Sequence, residues 1–204
     1  MASQISHVVY GEKVKDLFLK DRVIDEKKFY IGTLFPDIRY LAQISREKTH
    51  IENPVSEALS GIENDFELGV YVHSLVDKEW VRKLHESRVF ELVGRDPLTP
   101  QVLKFLVDQI VYPYFSDWEK VGKYLDDILD EEIVLVPEIK VRRWHDGLQF
   151  YFSSPPRREA VVKLTKIMNF SEDEIEAVTR KTEEFSENEQ IVSVIRSIYE
   201  NIFS

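Results

Sequence analysis

A chain of 204 residues, 43% of them hydrophobic, is long enough to build one domain around a real core and too short for two comfortable ones. It has no long apolar run, which excludes a helical membrane span, and no cysteine, which excludes disulfides and thiolate metal sites and points to a reducing cytoplasm. A net charge of −10 argues against capture of extended nucleic acid or anionic membrane, and leaves only a local basic pocket for a small phosphorylated ligand.

The N-terminal residues Met1-Ala2-Ser3-Gln4-Ile5-Ser6-His7 lack a basic stretch followed by an apolar one, so no secretory signal is expected. Residues 5–20 have helical spacing, with Val14, Leu17 and Phe18 inward and Ser3 or Ser6 as cap. His7 shares the inward stripe with Gly11 and Phe18, and a glycine one turn from a histidine leaves room for something to lie against the backbone. His7 is then either a core histidine bonded to a carbonyl or a ligand. A second short helix over 26–35 must stop at Pro36. Asp37 follows between Pro36 and Ile38, where an acid needs either a capping role or a partner, and Arg39 can pair with it or with a bound phosphate. The polar segment 45–54 reads as a loop carrying His50.

A long buried helix is expected over 63–90, capped by Asn64 or Asp65. His73 and Asp77 lie one turn apart on the face that also carries Phe66, Val70, Trp80 and Leu84. Turned toward the core they need partners, since an unpaired buried charge costs several kcal/mol. They either bond each other or coordinate a cation with ligands from elsewhere. Gly69 stands one turn before His73, as Gly11 stands one turn after His7.

Gly94 and the run from Asp96 to Pro100 break the chain, with Thr99 as N-cap and Pro100 at the first helical position of a helix running toward Pro113. A further amphipathic stretch, 118–129, leads into Asp126, Asp127, Asp130, Glu131 and Glu132, which read as a solvated helix end. Residues 133–152 are the least patterned: Ile133 to Val136 fits a short strand or a helix start. The His145-Asp146 doublet resembles that of the metal-dependent phosphohydrolases, but lacks further ligands at set places. Three helices close the chain at 157–168, 172–184 and 187–202, with capping boxes expected at Ser171/Glu174 and Ser186/Glu189. The sequence thus specifies one all-α domain, a multi-helix bundle over 1–204, with candidate ligands in 1–90 and architectural helices in 155–204.

The order His7, then Gly-x-x-x-Pro-Asp ending at Asp37, then Thr49-His50, then Gly-x-x-x-His-x-x-x-Asp at 69–77 resembles the zinc-dependent phospholipase C family, which shares its all-α fold with the zinc nucleases of single strands. The resemblance implies one metal site from Asp37, His50, His73 and Asp77, suited to zinc and also to manganese or iron. It implies that Asp77 bridges to a second metal held by His7, for which the family also uses a processed N-terminal residue. The third site of the family needs a histidine shortly after the helical aspartate and a His-x-x-x-Glu helix. Here His85 lies further along, and Gln149 stands four residues after His145, so one or two ions are expected rather than three. The implied chemistry is hydrolysis of a phosphodiester or phosphomonoester, with Asp37 as general base and ligand and with Arg39, Arg46 and Lys48 as phosphate contacts. A cytoplasmic location disfavours the lipid specificity of the secreted members. Two other readings differ in what they require: a non-catalytic relative that keeps the metal, and a metal-free helical module in which His73 and Asp77 are an ordinary buried pair.

Overall fold

The computed structural model describes residues 3–204, and among the described residues there are twelve α-helices, several short 3-10 turns and no strand. The reading of Met1 and Ala2 lies outside the described residues. Helix α1 spans Gln4–Phe18 and starts in a capping box between Ser3 and Ser6, as the two serines suggest. Its first half is buried, but Leu17 and Phe18, expected inward, are 56% and 40% exposed. The helix has passed the core by that point, and Phe18 packs edge-on with Phe203.

Helix α2 (Glu26–Leu34) gives way at Pro36 to a 3-10 turn, Phe35–Ile38, and then to the short α3 (Arg39–Ala42). Asp37 caps nothing there; its carboxylate faces inward. A second 3-10 turn, Arg46–Lys48, precedes His50, and a third covers Ser56–Gly61. Helix α4 (Asp65–Glu86) is capped by Asn64, whose side chain accepts from Phe66 and Glu67.

The most extensive helix contact in the molecule is that of α2 with α4, and two glycines make it possible. A Cβ on Gly69 would lie 2.2 Å from the Phe29 carbonyl oxygen and 2.6 Å from the Thr33 nitrogen; one on Gly32 would lie 2.1 Å from the Phe66 oxygen. The two backbones therefore touch. The space that Gly69 leaves beside His73 is filled by α2, and that at Gly11 by Phe29 and Thr33, rather than by a ligand.

After α5 (Val89–Val93), Gly94 turns the chain at φ 77°. Helix α6 (Thr99–Val111) begins at Thr99 itself. Asp96 takes the capping role expected of Thr99, accepting from the amides of Leu98 and Thr99, and the Thr99 hydroxyl is buried without a bond. Then come α7 (Trp118–Tyr124), α8 (Asp130–Ile133) and α9 (Glu138–Phe152), so the unpatterned segment is helical, and Val134 between α8 and α9 is exposed rather than part of a strand. Glu132 leaves the solvated acidic run altogether. It is fully buried, accepts from the Leu129 amide and lies 2.8 Å from His145 Nε2, while His145 Nδ1 donates to the Leu125 carbonyl. That network ties α8 to α9 and accounts for His145; Asp146 is exposed, so the doublet is no site.

Helices α10 (Arg158–Ile167), α11 (Glu172–Ser186) and α12 (Glu189–Glu200) complete the bundle. Ser171 and Glu174 form the expected box. Ser186 does not: it is the last residue of α11, and Asn188 caps α12 instead.

Candidate metal centre

Four elements, α1, the Phe35–Ile38 turn, the segment after the Arg46–Lys48 turn and α4, bring His7, Asp37, His50, His73 and Asp77 together, all of them 8% exposed or less. In two overlapping groups, His7/Asp37/His73 and His50/His73/Asp77, the potential ligand atoms lie within 4.8 Å of one another. These buried groups can hold a metal ion.

Two of the three rings, His73 and His50, are held from behind. His73 Nδ1 lies 2.8 Å from the Thr33 carbonyl, which can only accept, so the hydrogen is on Nδ1 and Nε2 presents a bare lone pair. His50 Nδ1 is held at 2.8 Å by the Thr49 hydroxyl, which also reaches the Arg46 carbonyl. The two Nε2 atoms stand 3.2 Å apart. That space takes one proton or one cation. Nitrogens on a tetrahedral zinc are about 3.4 Å apart, given Zn–N bonds of about 2.0–2.1 Å, so the spacing suits the ion. His7 lies flat on His73, centroids 3.7 Å apart, with Nε2 3.5 Å from Asp77 Oδ1 and Nδ1 without a hydrogen bond among the described residues.

Asp77 is the hub. Its Oδ2 lies 2.8 Å from Arg46 Nη2, 3.6 Å from His50 Nε2 and 3.9 Å from His73 Nε2. Burial pushes its carboxyl up, but the imidazoles of His50, His7 and His73 together outweigh burial and hold it well below the ordinary carboxylate value. Asp37 accepts the Gln4 amide at 2.8 Å on Oδ2, while Oδ1 has no hydrogen bond among the described residues. Burial raises it too, and the neighbouring positive charge, that of Lys104 foremost, leaves it below the ordinary value. His73 is held well below the ordinary histidine value, first by burial and then by neighbouring His7. Both carboxylates are thus ionised and His73 is neutral, the states in which these side chains ligate metals.

A pH prediction follows for the metal-free protein. The unfolded chain takes a proton on His73 below about 6.5, and the folded chain refuses it, so stability falls as the pH drops through that value. The loss is about 1.4 kcal/mol for each pH unit while His73 alone accounts for the difference. Urea titrations in chelator at a series of pH values should show the midpoint falling on the acid side of 6.5; a flat profile there would contradict the lowered value.

Around the cluster, α1 is anchored by Asp108 of α6. This fully buried carboxylate accepts the amides of Ile5 and Ser6 and the Tyr151 hydroxyl, and so fixes the first turn that carries Gln4 and His7. On the outer side His50, Thr49 and Lys48 line a cleft of about 450 Å³ whose other walls include Phe35, Ile62, Phe66 and Val70. Of the residues expected to contact phosphate, Arg46 is on Asp77, Lys48 is exposed in the cleft, and Arg39 stacks on the Tyr40 ring at 4.0 Å. His85 is exposed beside Phe90. Gln4, the Thr33 carbonyl and Lys104 belong to the site and were not expected from the sequence. Lys104 had a signal, a lone cation inside the apolar run Val102-Leu103-Lys104-Phe105-Leu106; Gln4 had none.

No protein-family model matches the chain, and neither a curated protein nor a solved structure matches it. Fold and site define an all-helical protein with a buried cluster of three histidines and two aspartates able to hold a metal ion. No helix among the described residues is long and apolar enough to cross a membrane.

Proposed function

We propose that this chain is a zinc-dependent hydrolase of phosphate esters, with a helical bundle of the phospholipase C and single-strand nuclease type. The observation that carries the metal is the pair of imidazole nitrogens 3.2 Å apart, facing Asp77 and each braced by a hydrogen bond from behind. His50, His73 and Asp77 hold the ion. When bound, it polarises a phosphoryl oxygen and lowers the pKa of a water. Asp37, ionised and with Oδ1 without a hydrogen bond, accepts the proton of the attacking water. Lys48 lines the cleft and Arg46 lies on Asp77, two cations beside the cluster in a protein whose net charge is −10, so an anionic ester is drawn to that spot. The apolar walls of Phe35, Ile62, Phe66 and Val70 receive the alcohol portion of the ester.

Elemental analysis of untagged protein tests this reading together with turnover of p-nitrophenyl phosphate and bis-p-nitrophenyl phosphate. Wild type should carry about one zinc-like ion. His73→Ala should lose it, along with at least about 100-fold of the turnover, since a ligand matters more than the outer partners worth about 10–100-fold. Turnover that persists in His73→Ala, or a wild type without metal, would refute it.

A further inference from the structure

Arg46 serves the cluster through two different parts of the residue. Its backbone carbonyl accepts from the Thr49 hydroxyl at 3.3 Å and from the His50 amide at 3.0 Å, so it sets the turn that presents His50. Its guanidinium lies on Asp77, with Nη2 2.8 Å from Oδ2. The turn Arg46–Lys48 has no buried residue, and the Arg46 side chain is 40% exposed against 3% for that of Asp77. The backbone is therefore pinned while the side chain borders water. Rotation about the side-chain bonds alone takes the guanidinium off Asp77 and leaves His50 in place.

Oδ2 is also the Asp77 oxygen that faces the other two ligands. It lies 3.6 Å from His50 Nε2 and 3.9 Å from His73 Nε2, whereas Oδ1 is turned to His7. A cation held by His50, His73 and Asp77 thus draws on the oxygen that the guanidinium already holds. One carboxylate charge then faces a dication and an arginine together, in buried surroundings that screen their repulsion poorly. Of the two cations, Arg46 is the one with a route outward. Its turn also carries Lys48, which lines the cleft, and the planar fork of an arginine fits a phosphate as well as it fits a carboxylate.

Resting on the metal-centre reading above, we infer that Arg46 is an exchangeable stand-in cation: it neutralises Asp77 while the centre is empty, yields Oδ2 to a dication, and then takes the oxyanion of the ester. Metal and oxyanion are coupled through this one side chain. Metal binding breaks the Arg46–Asp77 pair, and an oxyanion gives the displaced guanidinium a new partner. Each therefore binds more tightly in the presence of the other. A guanidinium that simply braced Asp77 from outside would behave in the opposite way, since loss of such a partner weakens metal binding by about 10–100-fold.

The test is a zinc titration of metal-stripped wild type, Arg46→Met and Arg46→Lys against a competing chelator, followed by calorimetry of the zinc-loaded proteins with phenylphosphonate, an anion they cannot hydrolyse. Arg46→Met keeps the apolar stem and removes the competing charge. It should bind zinc at least about tenfold more tightly than wild type and, once loaded, phenylphosphonate at least about tenfold more weakly. Arg46→Lys keeps the charge without the fork, so it should hold zinc as wild type does and lose part of the phenylphosphonate affinity. Weaker zinc binding in Arg46→Met would make Arg46 a brace and overturn the inference with the metal centre left standing, as would unchanged phenylphosphonate binding. No zinc in wild type would overturn the centre and this inference with it. Should Arg46→Met fail to fold, Arg46→Gln, neutral but able to bond Asp77, is held to the same two signs.

Discussion

Gly69→Ala should be among the most damaging single-methyl changes in this chain. The added Cβ would lie 2.2 Å from the Phe29 oxygen, 2.6 Å from the Thr33 nitrogen and 2.9 Å from the Gly32 carbonyl carbon. All three are backbone atoms of α2, so no rotamer can yield; the helix must move by about 1 Å or more to restore contact distance. Overpacking a core with a methylene typically costs about 1–3 kcal/mol, and with a helix backbone as the obstacle the loss should reach about 3 kcal/mol or more. The damage passes directly to the site. The Thr33 carbonyl that orients His73 lies on the displaced stretch of α2, and loss of such an outer partner weakens a metal by about 10–100-fold. Gly122→Ala is the control: nothing lies within 4 Å of its Cβ in α7, and alanine there should be neutral or stabilise by up to about 1 kcal/mol. Urea midpoints and zinc affinities of the two variants check both halves. A Gly69→Ala protein as stable as Gly122→Ala would mean that α2 and α4 do not touch as described.

That contact also shows what was legible in the sequence. Helix α4 was readable to within a few residues, because Asn64 is a strong cap and His73, Asp77, Trp80 and Leu84 keep a stripe over several turns. The five candidate ligands were readable as residue types in an order, and the fold gathers them. What the glycines do was not readable. Spacing shows that Gly69 leaves room next to His73, but only the fold shows a helix backbone in that room. Long-range partners were equally hidden. Glu132 looks solvated in its acidic run because four acids around it are partly or fully exposed, and nothing local marks it as the one that meets His145 thirteen residues on. Caps went wrong by two or three residues, at Thr99 and Ser186, where Asp96 and Asn188 offered an equally good acceptor nearby. Local chemistry sets which residues can cap, and packing of the helix sets which one does.

Asp77→Asn should separate the metal from the scaffold more sharply than any histidine change. Asparagine keeps the shape of the side chain and removes the charge toward which Arg46, His50, His73 and His7 converge at 2.8–3.9 Å. It also replaces one acceptor oxygen by an NH2 donor, which at the Oδ2 position would face the Arg46 guanidinium, donor against donor. Removing one partner of a buried charge pair costs about 3–5 kcal/mol. Arg46 is 40% exposed and can turn to water, which brings the expected loss in metal-free protein down to about 2–3 kcal/mol. Zinc affinity should fall by at least about 1000-fold, because two neutral imidazoles and an amide lack the charge that offsets dehydration of a dication. Melting curves with and without chelator read both effects at once. In wild type, chelator should lower the melting temperature, because bound metal stabilises only the folded state. In Asp77→Asn the two curves should coincide, both below that of metal-free wild type. Separate curves in the variant would mean that zinc is held by His7, Asp37 and His73, and the roles assigned to the two aspartates would have to be exchanged.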